Sequence, residues 1–302
     1  MDTNYDDTEN HELSLSELIN LNQDSSLSIN NVSTKSANYK ISHSTQYCYQ
    51  KKLDYSINAL RLYPQTNISQ QVHEWEIKAQ GNLKQSTDGF GNICHHFNSF
   101  YPSDTMLISA SGIVTSNDIN LIPHQDAEID QCFYIQNFSK SSANSEMQIF
   151  ALEHTAKFDT KYEKAIALMQ AIHKYIRYEI KSTTTETTAQ QAFTQQAGVC
   201  QDFSHIFLAC ARSIGIAARY VSGYFYSPEQ LHLSSHAWVD VSINSNYWLS
   251  LDVTNNIKTN HKHIRIAVGS EYKSIAPIKG IQLGGECEKM DVDISIQELS
   301  YS

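Results

Sequence analysis

The sequence predicts an α+β protein in which a β-rich N-terminal region of sandwich type precedes a mixed helical and antiparallel core. Three observations carry that reading. Apolar residues alternate with period two from Tyr39 onward, they recur every three to four residues from Tyr162, and two apolar alternating runs separated by a short loop follow near the end. At 302 residues with 41% apolar content, the chain is long enough for one large domain or two ordinary ones.

Taken in order, residues 1–37 hold seven acids and one base, Lys35, and supply −6 of the formal charge of −10. Their Asn- and Ser-rich composition predicts an acidic disordered tail, with a short Leu13, Leu15, Leu18, Ile19, Leu21 cluster inside it. A β-rich domain is expected over 38–140. Ile41, His43, Thr45, Tyr47 and Tyr49 form one face of a half-buried strand, and further strand-like runs cover 56–62, 72–79, 93–100 and 106–115. Turn signals separate them, notably Asp88-Gly89-Phe90-Gly91-Asn92, where Gly89 and Gly91 are read as supplying positive φ.

Residues 141–302 change character and are expected to form the catalytic core with a C-terminal extension. The spacing of Tyr162, Ala165, Ile166, Leu168, Met169, Ile172, Tyr175 and Ile176 predicts an amphipathic helix over about 160–178. Phe203, Phe207, Cys210, Ala211 and Ile214 predict a second helix that starts at Cys200 and ends near Gly215. Strands are expected at 218–226, 235–241, 247–253 and 263–267.

Composition excludes several partners. An acidic chain without a basic run lacks the concentrated Lys and Arg that a nucleic-acid backbone or an anionic membrane requires. The start has neither the cationic nor the apolar segment of a secretory signal, and no stretch reaches the roughly 18 apolar residues of a membrane helix. A cytoplasmic protein is the expectation. The six cysteines (Cys48, Cys94, Cys132, Cys200, Cys210, Cys287) show no CxxC pair and read as reduced thiols, of which five are structural and one is chemical.

Cys200 is the chemical one. At a helix N-terminus the free N–H groups and the positive end of the dipole favour the thiolate, and the same groups suit an oxyanion. Gly198, two residues upstream, allows close backbone approach. Downstream, Ala237, Val239 and Val241 form the apolar row of one strand, and Tyr247, Leu249, Leu251 and Val253 that of the next. His236, Trp238, Ser250 and Asp252 therefore share the opposite face. An imidazole–carboxylate pair of His236 and Asp252 follows if the hairpin register sum is even, 488 or 490, which requires an odd loop. The expected roles are a carboxylate accepting the Nδ1 proton and a free Nε2 serving the thiol. Taken one at a time, a strand histidine, a strand-end aspartate and a buried cysteine are ordinary packing residues; together they point to a site.

Other residues are weighed against the same standard. Tyr178 and Trp238 are read as candidate substrate-binding aromatics or as core residues. Asp202 is read as a helix cap, and His173 and His205 as residues on solvated helix faces. Cys94-His95-His96 and His261-Lys262-His263 lack a second ligand pair at metal-site spacing, so no metal and no other cofactor is expected.

The stretches GVCQDFSHIFLACARSIGIAARYVSGY, SSHAWVDV and WLSLDVTNN resemble the bacterial branch of the transglutaminase-like superfamily, with its cysteine-peptidase members. HIRIAVGSEYKSIAPIKGIQLGGE is similar to that family's C-terminal part, and HSTQYCY, LRLYPQT and DGFGN are similar to its N-terminal β-region, so the likeness spans about 38–300. The resemblance implies a papain-like core, a Cys-bearing helix packed on an antiparallel sheet, and a Cys200–His236–Asp252 triad. It implies a cysteine hydrolase acting on peptide or isopeptide amides of a peptide or protein substrate. A glutamine acyl-transferase using the same triad and a non-catalytic binding or scaffold protein stay open. The sequence leaves the oligomeric state open.

Overall fold

The computed structural model describes residues 35–100, 102–124, 129–228, 235–286 and 288–300. The acidic-tail reading, apart from its last residues, and Cys287 lie outside them. Residues 35–302 form one compact unit.

The chain opens with one long strand, β1 (Ser36–Leu60), which runs straight through the charged Gln50-Lys51-Lys52 segment. Sequence reading separates the 39–49 and 56–62 runs at that point because three polar residues in succession break the period-two pattern. All three are exposed in the strand, so the alternation resumes after a register shift between Cys48 and Leu53. The strands β2 (Gln70–Ala79), β3 (Lys84–Thr87), β4 (Ile93–Ser99) and β5 (Ser103–Asn117) complete the order β2-β5-β1-β4-β3. The first half of β1 pairs with β5 and the second with β4. Tyr47, Leu53, Leu60, Phe97, Met106 and Ile108 from both halves share one apolar cluster. Of the two turn glycines, Gly91 alone has positive φ, +83°.

A short strand β6 (Leu121–Pro123) leads to the helices α1 (Ser145–Thr155) and α2 (Lys161–Tyr175). The sequence conceals α1 because Met147, Ile149, Phe150, Ala151 and Leu152 leave no polar face; its start is marked by Asn144, whose side chain accepts the Met147 N–H at 2.9 Å. Then come β7 (Arg177–Tyr178), α3 (Ala189–Gln195), β8 (Ala197–Gly198) and α4 (Cys200–Ser213). Thr188 and Gln191 form a capping box that starts α3 inside what reads as a Thr-rich connection. Gly215, at φ +77°, ends α4.

The second sheet is built from β9 (Ala218–Phe225), β10 (Ser235–Ser242), β11 (Tyr247–Asp252), β12 (Ile257–Lys258) and β13 (His263–Gly269), in the order β12-β11-β10-β9-β13 with β6 on β11. Phe203, Ile206, Phe207 and Cys210 of α4 pack in one core with Ala237, Val239, Leu249 and Leu251 of the sheet. Each such aromatic or aliphatic side chain contributes about 1.5–3 kcal/mol on full burial. After a one-turn helix α5 (Tyr272–Ile275), β14 (Ile278–Gly284) and β15 (Lys289–Leu299) return to pair with β1. This is an α+β fold whose core is a cysteine-bearing helix on an antiparallel sheet.

Where the two sheets meet, side chains replace a strand. β13 is the edge of its sheet, and its outward backbone groups bond to the N-terminal region. The Ser116 hydroxyl donates to the His263 carbonyl at 2.8 Å. The Gln70 amide pairs both the N–H and the C=O of Arg265, and the Asn92 amide pairs both those of Val268, each bond 2.8 Å long. The DGFGN turn thus serves as a clamp on the second sheet.

Candidate active site

Cys200 takes its position from the residues just before it. Val199 is extended, and its N–H donates to the Asp202 carboxylate at 2.8 Å; the Thr183 hydroxyl donates to the same oxygen at 2.6 Å. A Cβ on Gly198 would lie 2.6 Å from the Asp202 Cβ, so this cap requires glycine. Burial pushes the Asp202 pKa up, against these hydrogen bonds, which favour the carboxylate. The thiol is partly exposed. Tyr178, 55% exposed, pairs with Gly198 across the short parallel β7–β8 ladder and stands near Cys200.

The β10–β11 hairpin pairs Val239 with Leu251, Asp240 with Ser250, Val241 with Leu249 and Ser242 with Trp248, an index sum of 490 throughout. This is the even register with the loop centred on Ser245. It places His236 diagonal to Asp252, and the Nε2 of His236 lies 2.8 Å from Asp252 Oδ2. The expected nitrogen roles are reversed: Nε2, not Nδ1, meets the carboxylate. A diagonal partner is farther away than a direct one, so only the outer nitrogen of the ring reaches it. Nδ1 is the ring nitrogen left free of the carboxylate; Cys200 bears on the charge of this ring, and its Sγ lies 4.0 Å from the carbonyl of Ser235, the residue before His236. Burial alone would depress the His236 pKa. The Asp252 charge, its hydrogen bond and Cys200 outweigh that and lift it to about 10. Burial likewise opposes the Asp252 charge, but His236 and His263 hold the carboxyl well below its usual range.

His263 is the residue that sequence reading does not place in the site. It shares Asp252 Oδ2 with His236 through its own Nε2, at 3.0 Å. Asn255 completes the carboxylate, its amide donating to Oδ2 at 2.7 Å and its N–H to Oδ1 at 3.1 Å. The Asn of the DVTNN segment was thus visible as a motif residue, whereas His263 lies eleven residues on with no spacing signal to link it.

Two expectations are corrected by burial. Trp238 is 1% exposed and so does not line the cleft: it lies opposite Asp252 in the hairpin register and packs against the rings of His236 and His263. Gly223 makes room for it, since a Cβ there would stand 2.5 Å from the indole. His205 is fully buried rather than solvated; its Nε2 accepts the Tyr272 N–H at 3.2 Å, and burial drives its pKa down to about 3. His173 is exposed.

Below Trp238, Asp240 is buried and receives Arg219 Nε at 2.9 Å, Arg265 through two nitrogens at 2.7 and 2.8 Å, and the Ser250 hydroxyl. Burial opposes its charge, but Arg265 and Arg219 hold its pKa at about 2. This cluster ties β9, β10, β11 and β13 together beneath the site.

His236, Asp252 and His263 also present three atoms within 4.8 Å of one another, a spacing open to a divalent ion. The protons argue for hydrogen bonds instead. His263 Nε2 faces the Asp252 carboxylate at 3.0 Å and so carries a hydrogen, while Nδ1 lies 3.1 Å from the Asn260 N–H and 3.2 Å from Asn260 Oδ1. In the Cys94-His95-His96 segment, Cys94 turns to Asp88 while His96 bonds Ser86, so the side chains diverge.

Residues 149–253 match the family model described as the Transglutaminase-like superfamily, and residues 39–115 match the Bacterial transglutaminase-like N-terminal region. An uncharacterized protein of Mycobacterium leprae is 26% identical over 278 residues, covering 86% of this chain and 99% of its own. One of Mycobacterium tuberculosis is 26% identical over 310 residues, covering 93% and 98%. Among solved structures, a candidate cysteine protease from Cytophaga hutchinsonii superimposes with a TM-score of 0.73 at 18% identity, over 89% of this chain and 92% of the other. With both parts of the family pattern matched on the two sheets described above, the chain belongs to the transglutaminase-like superfamily and carries its bacterial N-terminal region.

Proposed function

We propose that this protein is a cysteine-dependent hydrolase of peptide or isopeptide amide bonds, with Cys200 as nucleophile, His236 as acid and base, and Asp252 as the carboxylate that orients it. The observation that carries the reading is the His236–Asp252 pair, 2.8 Å apart, beside a cysteine at a helix N-terminus whose Sγ reaches the residue preceding His236. In this scheme the thiol proton resides on His236 Nδ1, and the thiolate of that ion pair attacks the amide carbon. The Cys200 N–H and its neighbours in the first turn face the resulting oxyanion. Collapse breaks the C–N bond as Nδ1 protonates the leaving amine, which leaves an acyl-thioester. Water then adds, gives a proton to Nδ1, and releases the acid and the thiol. Such acid–base help is worth roughly 10²–10⁴ in rate.

The Cytophaga protein's description as a candidate cysteine protease favours water over an amine as the second nucleophile. Tyr178, exposed beside Cys200, is the side chain best placed to touch the substrate of this proposed reaction. Free thiols at Cys48, Cys94, Cys132, Cys200 and Cys210 support a cytoplasmic setting.

The test is mass spectrometry of acyl-enzyme trapped from a peptide library in H₂¹⁸O, with and without a primary amine. The expected result is acylation of Cys200, lost in Cys200→Ala, and release of a carboxylic acid carrying one ¹⁸O in both conditions. An amide formed whenever amine is present would make the protein an acyl-transferase. Undiminished turnover by Cys200→Ala would remove the thiol mechanism altogether.

A further inference from the structure

We infer that His263 is a positioning residue of the Cys200 site: its Nε2–H shares one carboxylate oxygen of Asp252 with His236 and keeps that oxygen aligned on the His236 ring. The inference rests on the hydrolase reading above and extends it to a second imidazole.

Asp252 is fully buried and pairs with no Arg or Lys among the described residues; its Oδ2 accepts from three groups, His236, His263 and Asn255. The three donors come from different elements, so each restrains the carboxylate along a different direction. Asn255 is three residues from Asp252 and moves with it. His263 is on β13, two strands beyond β10 in the sheet order, and is the donor that references Asp252 to the rest of the molecule.

The His263 ring is itself fixed from all sides. Asn260 meets Nδ1 with both its N–H, at 3.1 Å, and its Oδ1, at 3.2 Å; Phe225 packs at 4.7 Å between ring centroids, and Trp238 meets the ring edge-on at 5.3 Å. At 6% exposure it does not reach a substrate, which makes it a positioning residue rather than a catalytic one.

Its place beside His236 matters to how the charge divides. Asp252 and His236 are the ionisable groups whose charges bear most on His263. Burial lowers the His263 pKa and a cationic His236 lowers it further, against the hydrogen bond and charge of Asp252, which raise it. The positive charge of the pair therefore settles on His236, the ring that faces the thiol. A cationic residue at 263 would neutralise Asp252 and withdraw its support from His236; an aliphatic one would leave Oδ2 with a donor missing and free to turn.

Cys200 reactivity and imidazole ¹⁵N spectra test this without a substrate. In the wild-type protein, His263 is expected to keep a protonated Nε2 from pH 5 to 8. Iodoacetamide should alkylate Cys200 at pH 6 far faster than the exposed Cys48 and Cys132. His263→Leu, checked for folding by circular dichroism, is expected to lower the pH 6 rate by on the order of 10- to 100-fold, the cost of a displacement near 1 Å in a catalytic group. His263→Gln, whose amide can still donate to Asp252, should recover most of it. A wild-type His263 that carries its hydrogen on Nδ1 and none on Nε2 overturns the inference whether or not the variants fold. So does a folded His263→Leu protein with wild-type alkylation, and that result leaves the hydrolase reading standing. Wild-type Cys200 no more reactive at pH 6 than Cys48 overturns both.

Discussion

His236 and Asp252 tie stability to pH in opposite directions. His236 has a folded pKa of about 10 against about 6.5 unfolded, so its contribution is complete below pH 6.5 and is lost as pH rises toward 10. Asp252 is depressed in the fold, so its contribution is present above about pH 4 and is lost as pH falls below that. The pair therefore stabilises the fold most between about pH 4 and 6.5. In a Cys200→Ala background, which removes thiol titration, His236→Gln should abolish one proton's worth of the decline from pH 6.5 to 10. That is at most about 1.4 kcal/mol per pH unit in urea unfolding free energy. An unchanged slope would mean that the imidazole does not hold its charge in the fold. Sequence alone brought these two residues together because alternation and loop parity are local properties of a hairpin. It did not assign the ring nitrogens, which depend on the choice between direct and diagonal pairing.

Strand β13 shows how an element can depend on side chains from another sheet. Gln70 satisfies two backbone groups of Arg265. Gln70→Leu would bury both without partners, at a cost of about 1–3 kcal/mol for each group left unsatisfied. It should also lower Cys200 alkylation at pH 6, because β13 carries His263. A Gln70→Leu protein with unchanged stability and unchanged alkylation would show that the amide clamp does not hold the strand. The clamp gives the N-terminal β-region a physical part in the site: it closes the edge of the sheet that bears the second imidazole on Asp252. None of this was legible in Gln70 or Asn92 as sequence positions, since an amide that mimics a strand partner has no period.

Across the whole molecule, five histidines among the described residues are buried and held below their ordinary pKa: His43 at about 4, His205 at about 3, and His95, His261 and His263. Burial is the leading cause in each. The unfolded chain takes up these protons below about pH 6.5 while the fold resists, so stability should fall as pH drops from 6.5 to 4.5. That window lies above the usual carboxylate range. His43 and His205, whose folded values lie lowest, each contribute up to one proton to that slope, about 1.4 kcal/mol per pH unit at most. His43→Gln should reduce it by one, measured by urea unfolding at half-unit steps of pH; a slope that does not change would mean His43 is charged in the fold despite its bonds to Tyr224 and Thr45.

What the sequence determined by itself is what rests on short range and periodicity. The cysteine at the start of α4, the even hairpin register and the half-buried alternation of β1 follow from neighbours a few residues apart. Gly198 and Gly215 belong with them, since each is required by a residue within four positions or by its own φ. Tertiary structure decided the rest. His263 reaches Asp252 from another strand, Trp238 is sealed under the imidazole by its neighbours, His205 is enclosed although its helix position reads as solvated, and the last two strands return to β1. Burial and long-range pairing depend on which elements pack together, and that is a property of the folded chain that no local pattern carries.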